Sequence, residues 1–312
     1  MTATWGWVAF GVLITALLAL DLGILHRRGH VVPTRQAAYW AAGWVAFALL
    51  FNVFVFFTRG LEPALQFTTG YLIEESLSVD NIFVFVVVLS WFRVPAEYQH
   101  RVLFWGVLGA LVMRGIMISV GTVLLAEAHW VIYVFGAFLV YTAIKMARAS
   151  DLSVDPSHNP VFRLARRVLP LTPHYVEDRF AVREPGPDGR MRRLFTPLFV
   201  VLLVIESTDV VFALDSIPAI FAVTRDPFII YTSNVFAVLG LRSMYFVLAG
   251  AVRRFATLRP ALSIVLGFVG VKMLVSGWFE IPIGISLGVV AGVLAGAVVL
   301  SLWRERQAPT PA

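Results

Sequence analysis

An apolar run from Phe195 to Val223 is long enough to cross a bilayer, yet it contains Glu206-Ser207-Thr208-Asp209-Val210-Val211-Phe212-Ala213-Leu214-Asp215-Ser216-Ile217-Pro218. A carboxylate at the centre of a bilayer costs about 2.5–3.5 kcal/mol or more. Three in one span therefore need partners inside the protein, which rules out a lone helix in lipid. A second stretch, Tyr71-Leu72-Ile73-Glu74-Glu75-Ser76-Leu77-Ser78-Val79-Asp80-Asn81-Ile82, has the same construction. Placing Glu74 on Asp209 places Asp80 on Asp215, Asn81 on Ser216 and Ile82 on Ile217.

The rest of the chain supplies the bundle such acids need. Of its 312 residues 59% are hydrophobic and 14% charged, against about 45–50% and 25% in soluble domains. The apolar residues fall in blocks that predict an all-α, polytopic helical membrane protein with about nine transmembrane helices. The spans are drawn near 4–25, 38–58, 70–92, 102–124, 130–147, 196–223, 228–250, 260–279 and 282–303. The first is expected to be retained as a span, because it is too long for a signal peptide and no Lys or Arg precedes it.

Basic residues mark alternate connections: His26-Arg27-Arg28, Arg93 with Arg101, Arg253-Arg254 with Arg259, and Arg304 with Arg306. The other links carry few positive charges. This predicts a multi-pass protein of the bacterial cytoplasmic membrane with its N-terminus outside and its C-terminus in the cytoplasm. The basic residues lie between spans, so nucleic acid is not an expected partner.

The repeat extends past the acids. Arg114 corresponds to Arg242, and Lys145-Met146 to Lys272-Met273. Spans 3–5 thus match spans 6–8 with opposite direction, an inverted-topology repeat of three helices. The expected organisation is two N-terminal helices over 1–60, a first triplet over 70–148, a basic cytoplasmic linker over 149–195, a second triplet over 196–280, and a last helix with a short tail over 281–312. The linker holds eight Arg together with several Pro and Gly. No glycine motif for phosphate accompanies them, so a connecting role is favoured over nucleotide sensing. Gly284, Gly288, Gly292 and Gly296 recur every four residues in the last span. Packing within one molecule is favoured for them over a dimer interface.

Residues six apart on a helix are about 120° apart on its circumference, so Glu74 and Asp80, or Asp209 and Asp215, do not share a face. A helix interrupted at the motif is the expected solution. Pro218 cannot donate to the Leu214 carbonyl, and Ser76 and Ser78 can bond back to their own backbone. The candidate metal ligands are Glu74, Asp80, Asn81, Asp209, Asp215 and Ser216. Glu75, Ser78, Glu206, Thr208, Arg114 and Arg242 are candidates for proton coupling or support. Asp21 is a further acid, near the end of span one. Carboxylate, amide and hydroxyl oxygens suit Mg, Ca or Mn ions. The six His lie at span ends or in connections and there is no Cys, which excludes thiolate metal sites and thiol relays. The competing reading is that the charges pair internally and only hold helices together. No HExxH or G-x-S-x-G element and no ATP-binding motif is present, so neither an enzyme nor a tightly bound cofactor is expected.

At Glu74 to Asn81, Thr208 to Pro218, and Tyr231-Thr232-Ser233-Asn234-Val235-Phe236-Ala237-Val238-Leu239-Gly240-Leu241-Arg242-Ser243, the chain resembles the TerC family of integral membrane proteins, including its Alx branch. Leu169-Pro170-Leu171-Thr172-Pro173 and Arg179-Phe180 add to the likeness. The resemblance implies a link to tellurium resistance and export of manganese, with Mn(II) as substrate. Tellurite is an oxyanion that a carboxylate site repels, so a tellurite phenotype is expected to be indirect. The alternative is a membrane scaffold or metallation partner in metal homeostasis. The lipid bilayer and a divalent ion are the expected partners, with a homo-oligomer or membrane partner proteins left open.

Overall fold

The computed structural model describes residues 2–25, 33–128, 130–148, 156–185, 191–248, 258–279 and 281–307; the side chains at 2–4, 20–25, 80, 158, 258–259 and 302–307 lie outside that description. Asp21 and Asp80 are among these, so of Asp80 only its place in a helix is described.

The described chain is helical but for one hairpin. Its elements are α1 Thr2–Leu25, α2 Thr34–Arg59, α3 Leu61–Trp91, α4 Ala96–Glu127, α5 Val131–Arg148, a 3-10 turn Pro156–His158, α6 Pro160–Val168, β1 Ala181–Pro185, β2 Met191–Phe195, α7 Pro197–Phe221, α8 Pro227–Leu248, α9 Leu258–Val275 and α10 Ile283–Gln307. Each drawn span falls on one of the long helices. By length and composition α2, α4, α5, α7 and Ile283–Ser301 of α10 can cross a membrane, and α1 and α9 contain shorter apolar helices, Trp5–Ala19 and Pro260–Val275. This is a polytopic helical membrane protein. α3 and α8 are the more polar members because they carry the buried Glu74, Ser78, Asn81, Asn234 and Arg242. Both tolerate these residues by standing inside the bundle, where neighbouring helices replace lipid.

Packing fixes how the triplets meet. α3 packs on α7 and α8, α4 on α7 and α8, and α5 on α7 and α9; α3 also meets α9. Each contact between unlike partners recurs with the triplets exchanged: α3 with α8 as α4 with α7, and α3 with α9 as α5 with α7. α5 and α9 cross backbone to backbone at Gly136 and Gly270. A Cβ on either would come within 2.9 Å of the other's carbonyl oxygen. Around this centre α2 covers α3 and α8, and α10 covers α3 and α9.

Two expectations are corrected. First, α3 runs unbroken through Glu74 to Asn81, and α7 runs unbroken past Pro218 to Phe221. Pro218 stands in the last turn of α7, where one lost hydrogen bond does not interrupt the helix, and Ser76 Oγ donates to the Leu72 carbonyl at 2.5 Å without breaking α3. Second, no described atom lies within 4 Å of where a Cβ would stand on Gly284, Gly288, Gly292 or Gly296. α10 turns inward Ser286, Val290 and Ala297. The glycine row is offset from Ser286 and Val290 by two residues, about 200° around the helix, and so faces outward. Lys272 Nζ, on α9, donates to the buried Ser286 Oγ of α10 at 2.9 Å.

The stretch between the triplets is folded. Asn159 caps α6, its Oδ1 accepting from the backbone N of Val161 (2.8 Å) and Phe162 (3.3 Å), with Pro160 at the first helical position. Phe162 meets Trp91 and Phe92 edge to face, with centroids 5.5 and 5.4 Å apart. β1 and β2 pair antiparallel with Ala181 opposite Phe195. Beyond them, Tyr175 Oη donates to the Phe92 carbonyl at 2.8 Å and Arg101 pairs with Asp178 at 2.6 Å. Burial pushes the Tyr175 phenol up to about 12, so it donates throughout the neutral range.

Candidate metal centre

Glu74, Ser78 and Asn81 stand at i, i+4 and i+7 on α3, one face of a helix, and all three are buried. Asp209 and Ser216 stand at i and i+7 on α7 and are likewise buried. α4 brings Arg114, 1% exposed, to the same level. Its guanidinium forks onto Asp209, Nε to Oδ2 at 3.2 Å and Nη2 to Oδ1 at 3.1 Å. Nη1 donates to Glu74 Oε1. Asn81 Nδ2 donates to Asp209 Oδ1 at 3.4 Å. One cation thus ties an acid of the first triplet to its counterpart in the second, in the planar geometry that makes Arg the strong partner of carboxylates.

Beside this bridge lies a cavity of about 40 Å³. Glu74, Asn81, Asp215 and Ser216 supply its polar wall, and Leu77, Met146, Phe212 and Leu266 close it. Three buried oxygens of these residues have no hydrogen-bond partner among the described residues: Glu74 Oε2, Asn81 Oδ1 and Ser216 Oγ. A buried polar atom left so costs about 1–3 kcal/mol. Asp215 Oδ1 accepts from Thr142 Oγ1 of α5 at 3.1 Å, and the exposed Lys145 is close enough to interact with Asp215 electrostatically. The volume admits one small ion or a water or two. The donors are oxygens only, the set that suits a hard cation.

The structure therefore brings together Glu74, Asn81, Asp215 and Ser216 around one space, with Asp209 and Arg114 beside it. Ser78 shares the face of Glu74, and its Oγ also lacks a partner among the described residues. Other candidates are directed elsewhere. Glu75 is turned about 100° from Glu74 towards α8, its Oε1 lying 4.0 Å from where a Cβ on Gly240 would stand. Glu206 lies against Gly109 of α4, where a Cβ would collide with its carboxylate. Thr208 Oγ1 donates to the Ile205 carbonyl at 2.7 Å, and Arg242 is buried in α8. Among the described residues no three Asp, Glu, His or Cys gather as a ready-made metal cluster. Arg114 stands between Glu74 and Asp209 and pairs with both. Sequence reading missed Thr142, Met146, Phe212 and Leu266. The first is legible only as a hydroxyl three residues before Lys145; Met146 stands out only beside Lys145, and Phe212 and Leu266 carry no signal that places them at the site.

Comparison with known proteins places the chain. The family described as integral membrane protein TerC matches residues 59–308. A Myxococcus xanthus membrane protein, STKORF319, is 53% identical over 304 residues, covering 97% of this chain and 94% of its own. An Escherichia coli O6:H1 protein provisionally named membrane-bound redox modulator Alx is 47% identical over 306 residues, 95% of this chain and 94% of its own. A Rickettsia felis membrane protein is 38% identical over 299 residues, 96% of this chain and 98% of its own. No solved structure matches.

Proposed function

This chain belongs to the integral membrane protein TerC family, and on that footing we propose that it is a secondary transporter exporting a hard divalent cation, foremost Mn(II). The carrying observation is the set of unpartnered oxygens, Glu74 Oε2, Asn81 Oδ1 and Ser216 Oγ, on residues that share a cavity with Asp215. A divalent ion entering that cavity is held by Glu74 and Asp215, with Asn81 and Ser216 as neutral ligands and water completing its shell. The ion also competes with Arg114 for Glu74. Charge supports the exchange: one guanidinium neutralises one of the two acids it bridges, so a negative charge is left over, to which Asp215 adds.

The exchange symmetry of the contacts between triplets favours alternating access of α3–α5 against α7–α9, with the ion between them. Mn(II) fits better than Mg(II), because Mg(II) gives up its water reluctantly and demands near-ideal octahedral ligands. Glu206 and Glu75, set apart from the cavity, are the residues for a coupling proton. The name of the Alx relatives suggests redox modulation; in this chain, which lacks cysteine, such an effect runs through metal balance and not through thiols of its own.

The test is uptake of Mn(II), Mg(II) and Ca(II) into vesicles holding the purified protein, beside D215N. Mn(II) flux lost in D215N supports the proposal. The second reading, a scaffold or metallation partner, is favoured by the closed Glu74–Arg114–Asp209 bridge, which purely structural pairing would also produce. Tight Mn(II) binding with no flux across any pH gradient selects it.

A further inference from the structure

The end of the bundle away from the hairpin holds a further cavity, of about 250 Å³. Thr122, Leu125 and Ala126 line it from the last turns of α4, with Phe221 at the end of α7 and Arg225 just beyond. It shares no residue with the cavity at the metal centre. Phe221 is fixed in place: its ring lies against Gly121 of α4, where a Cβ would collide with it, and stacks on Phe135 of α5 with centroids 6.4 Å apart. The cavity thus lies between a helix of the first triplet and a helix of the second.

Only one side chain of this lining has N–H groups to offer. The Thr122 hydroxyl donates to the Ile118 carbonyl at 2.7 Å, within its own helix, and Leu125, Ala126 and Phe221 are apolar. Arg225 is exposed and has no partner among the described residues. The acids next in sequence are engaged or directed elsewhere: Asp226 pairs with Arg59 at 2.8 Å, and Glu127 is turned about 100° around α4 from Ala126. Arg225 also stands four residues past the last residue of α7. A cation offsets the carbonyl end of a helix within its last turn, so that role does not account for Arg225.

The cavity also opens towards lipid. Ala126 is exposed, and the exposed Val123, Ile116 and Val112 continue its side of α4 as one apolar stripe leading back to the middle of the helix. Trp130 and Trp278, both largely exposed, stand at the same end: Tyr133, three residues after Trp130, faces Gly277, beside Trp278. Exposed Trp at helix ends marks the boundary between hydrocarbon and headgroups. In a bilayer the guanidinium of Arg225 therefore lies at headgroup level, and the stripe of α4 at the level of the acyl chains.

The geometry points to a phospholipid site. The phosphate of one lipid takes the Arg225 guanidinium, and an acyl chain enters the cavity over Phe221 and Leu125 and leaves along Ala126 and Val123. A guanidinium matches a phosphate with two parallel N–H groups. A free phosphate ion is the poorer occupant, because it meets three apolar side chains and a single donor group. The bound lipid touches α4 and α7 together and so spans the two triplets. The site stands whether or not the chain transports an ion.

Native mass spectrometry of the purified protein in detergent, with phosphatidylglycerol added, tests this. The parent is compared with R225Q, with A126W, which fills the mouth of the cavity, and with R163Q, which alters an exposed Arg of α6 at the other end of the bundle. The expected result is one lipid retained by the parent and R163Q at collision energies that strip the others, and lost from R225Q and A126W. Unfolding temperatures in lipid-free detergent, expected to be alike in all four proteins, show that the variants fold. Phosphatidylglycerol should raise them in the parent and R163Q by more than in R225Q and A126W. Equal retention in all four proteins overturns the site. Loss in A126W with R225Q like the parent overturns it too, since Arg225 then does not hold the phosphate. Inorganic phosphate that stabilises the parent as much as phosphatidylglycerol does overturns the lipid in favour of a simple anion site.

Discussion

Arg114 of α4 holds Asp209 of α7 with two nitrogens, at 3.2 and 3.1 Å, while its remaining nitrogen holds Glu74 of α3. Two acids from similar stretches of the sequence thus meet across a single guanidinium. That relation makes Arg114 both a structural clamp and the cation that an incoming ion must displace.

Removing Arg114 leaves two buried carboxylates without their partner, and breaking a buried pair in this way costs about 3–5 kcal/mol. R114A is expected to unfold at a lower temperature. Mn(II) should raise its unfolding temperature by more than it raises that of the parent, because the ion then takes the place of the guanidinium. Thermal unfolding with and without Mn(II) checks this, and an equal rise in both proteins rules out competition between Arg and ion.

D215N and S216A leave the Arg114 bridge untouched. Both are expected to fold and pack as the parent does. Mn(II) binding should be lost in D215N and weakened in S216A, where a neutral ligand alone is removed. Titration calorimetry on the purified proteins separates these outcomes; unchanged affinity in both would place the ion elsewhere.

Glycines in this chain differ sharply in what surrounds them. G109A drives a methyl group into the Glu206 carboxylate; because that carboxylate is the far end of a flexible side chain that can swing aside, the expected loss is small, under about 1 kcal/mol. The double variant G109A/E206A should recover the loss, which thermal unfolding of both proteins tests.

G288A, by contrast, meets no described atom within 4 Å and should shift stability by no more than about 0.5 kcal/mol. G136A and G270A should be severely destabilising, since each pushes a methyl group against the opposing backbone. Expression yield and unfolding temperature of the three variants give the comparison. A large loss in G288A would show that the outward row of α10 is covered in the membrane.

Tyr175 ties the inter-triplet segment to the end of α3. Y175F deletes a hydrogen bond worth about 1 kcal/mol. Its raised pKa also carries a pH signature. Below about pH 10 the phenol is protonated in both folded and unfolded chains, so its full contribution is present. Between that value and about 12 the unfolded chain ionises first, and the contribution is lost as pH rises. The difference in stability between the parent and Y175F should therefore be flat through neutral pH and shrink above it.

Much of this was legible in the sequence, because the bilayer makes composition informative. An uninterrupted apolar block must become a helix when no water is present to satisfy its backbone, and every span drawn from hydropathy falls on one. The acids stand out for the same reason, since each is expensive at that depth, and the order Glu74, Asp80, Arg114 against Asp209, Asp215, Arg242 is the pattern from which a repeat is expected. The Asn159-Pro160 start of α6 is likewise a local signal. It uses only the chain's own side chains and backbone.

Tertiary structure decided how the acids are brought together. The sequence argument calls for a helix broken at the motif, because residues six apart cannot share a face. The fold instead keeps α3 and α7 unbroken and lets a third helix deliver Arg114 between them. Asp209 then faces α4, and Asp215 faces Thr142 on α5. Which residues share a cavity depends on the rotation and depth of each helix relative to its neighbours, and these are set by contacts such as Gly136 against Gly270 that no periodicity encodes. The same holds for α10, where a row of four glycines reads as a packing face and lies outward, because burial of Ser286, Val290 and Ala297 fixes the rotation of the helix. Sequence alone determined that buried charge must be reconciled with the membrane; the crossing of helices determined which charge answers which.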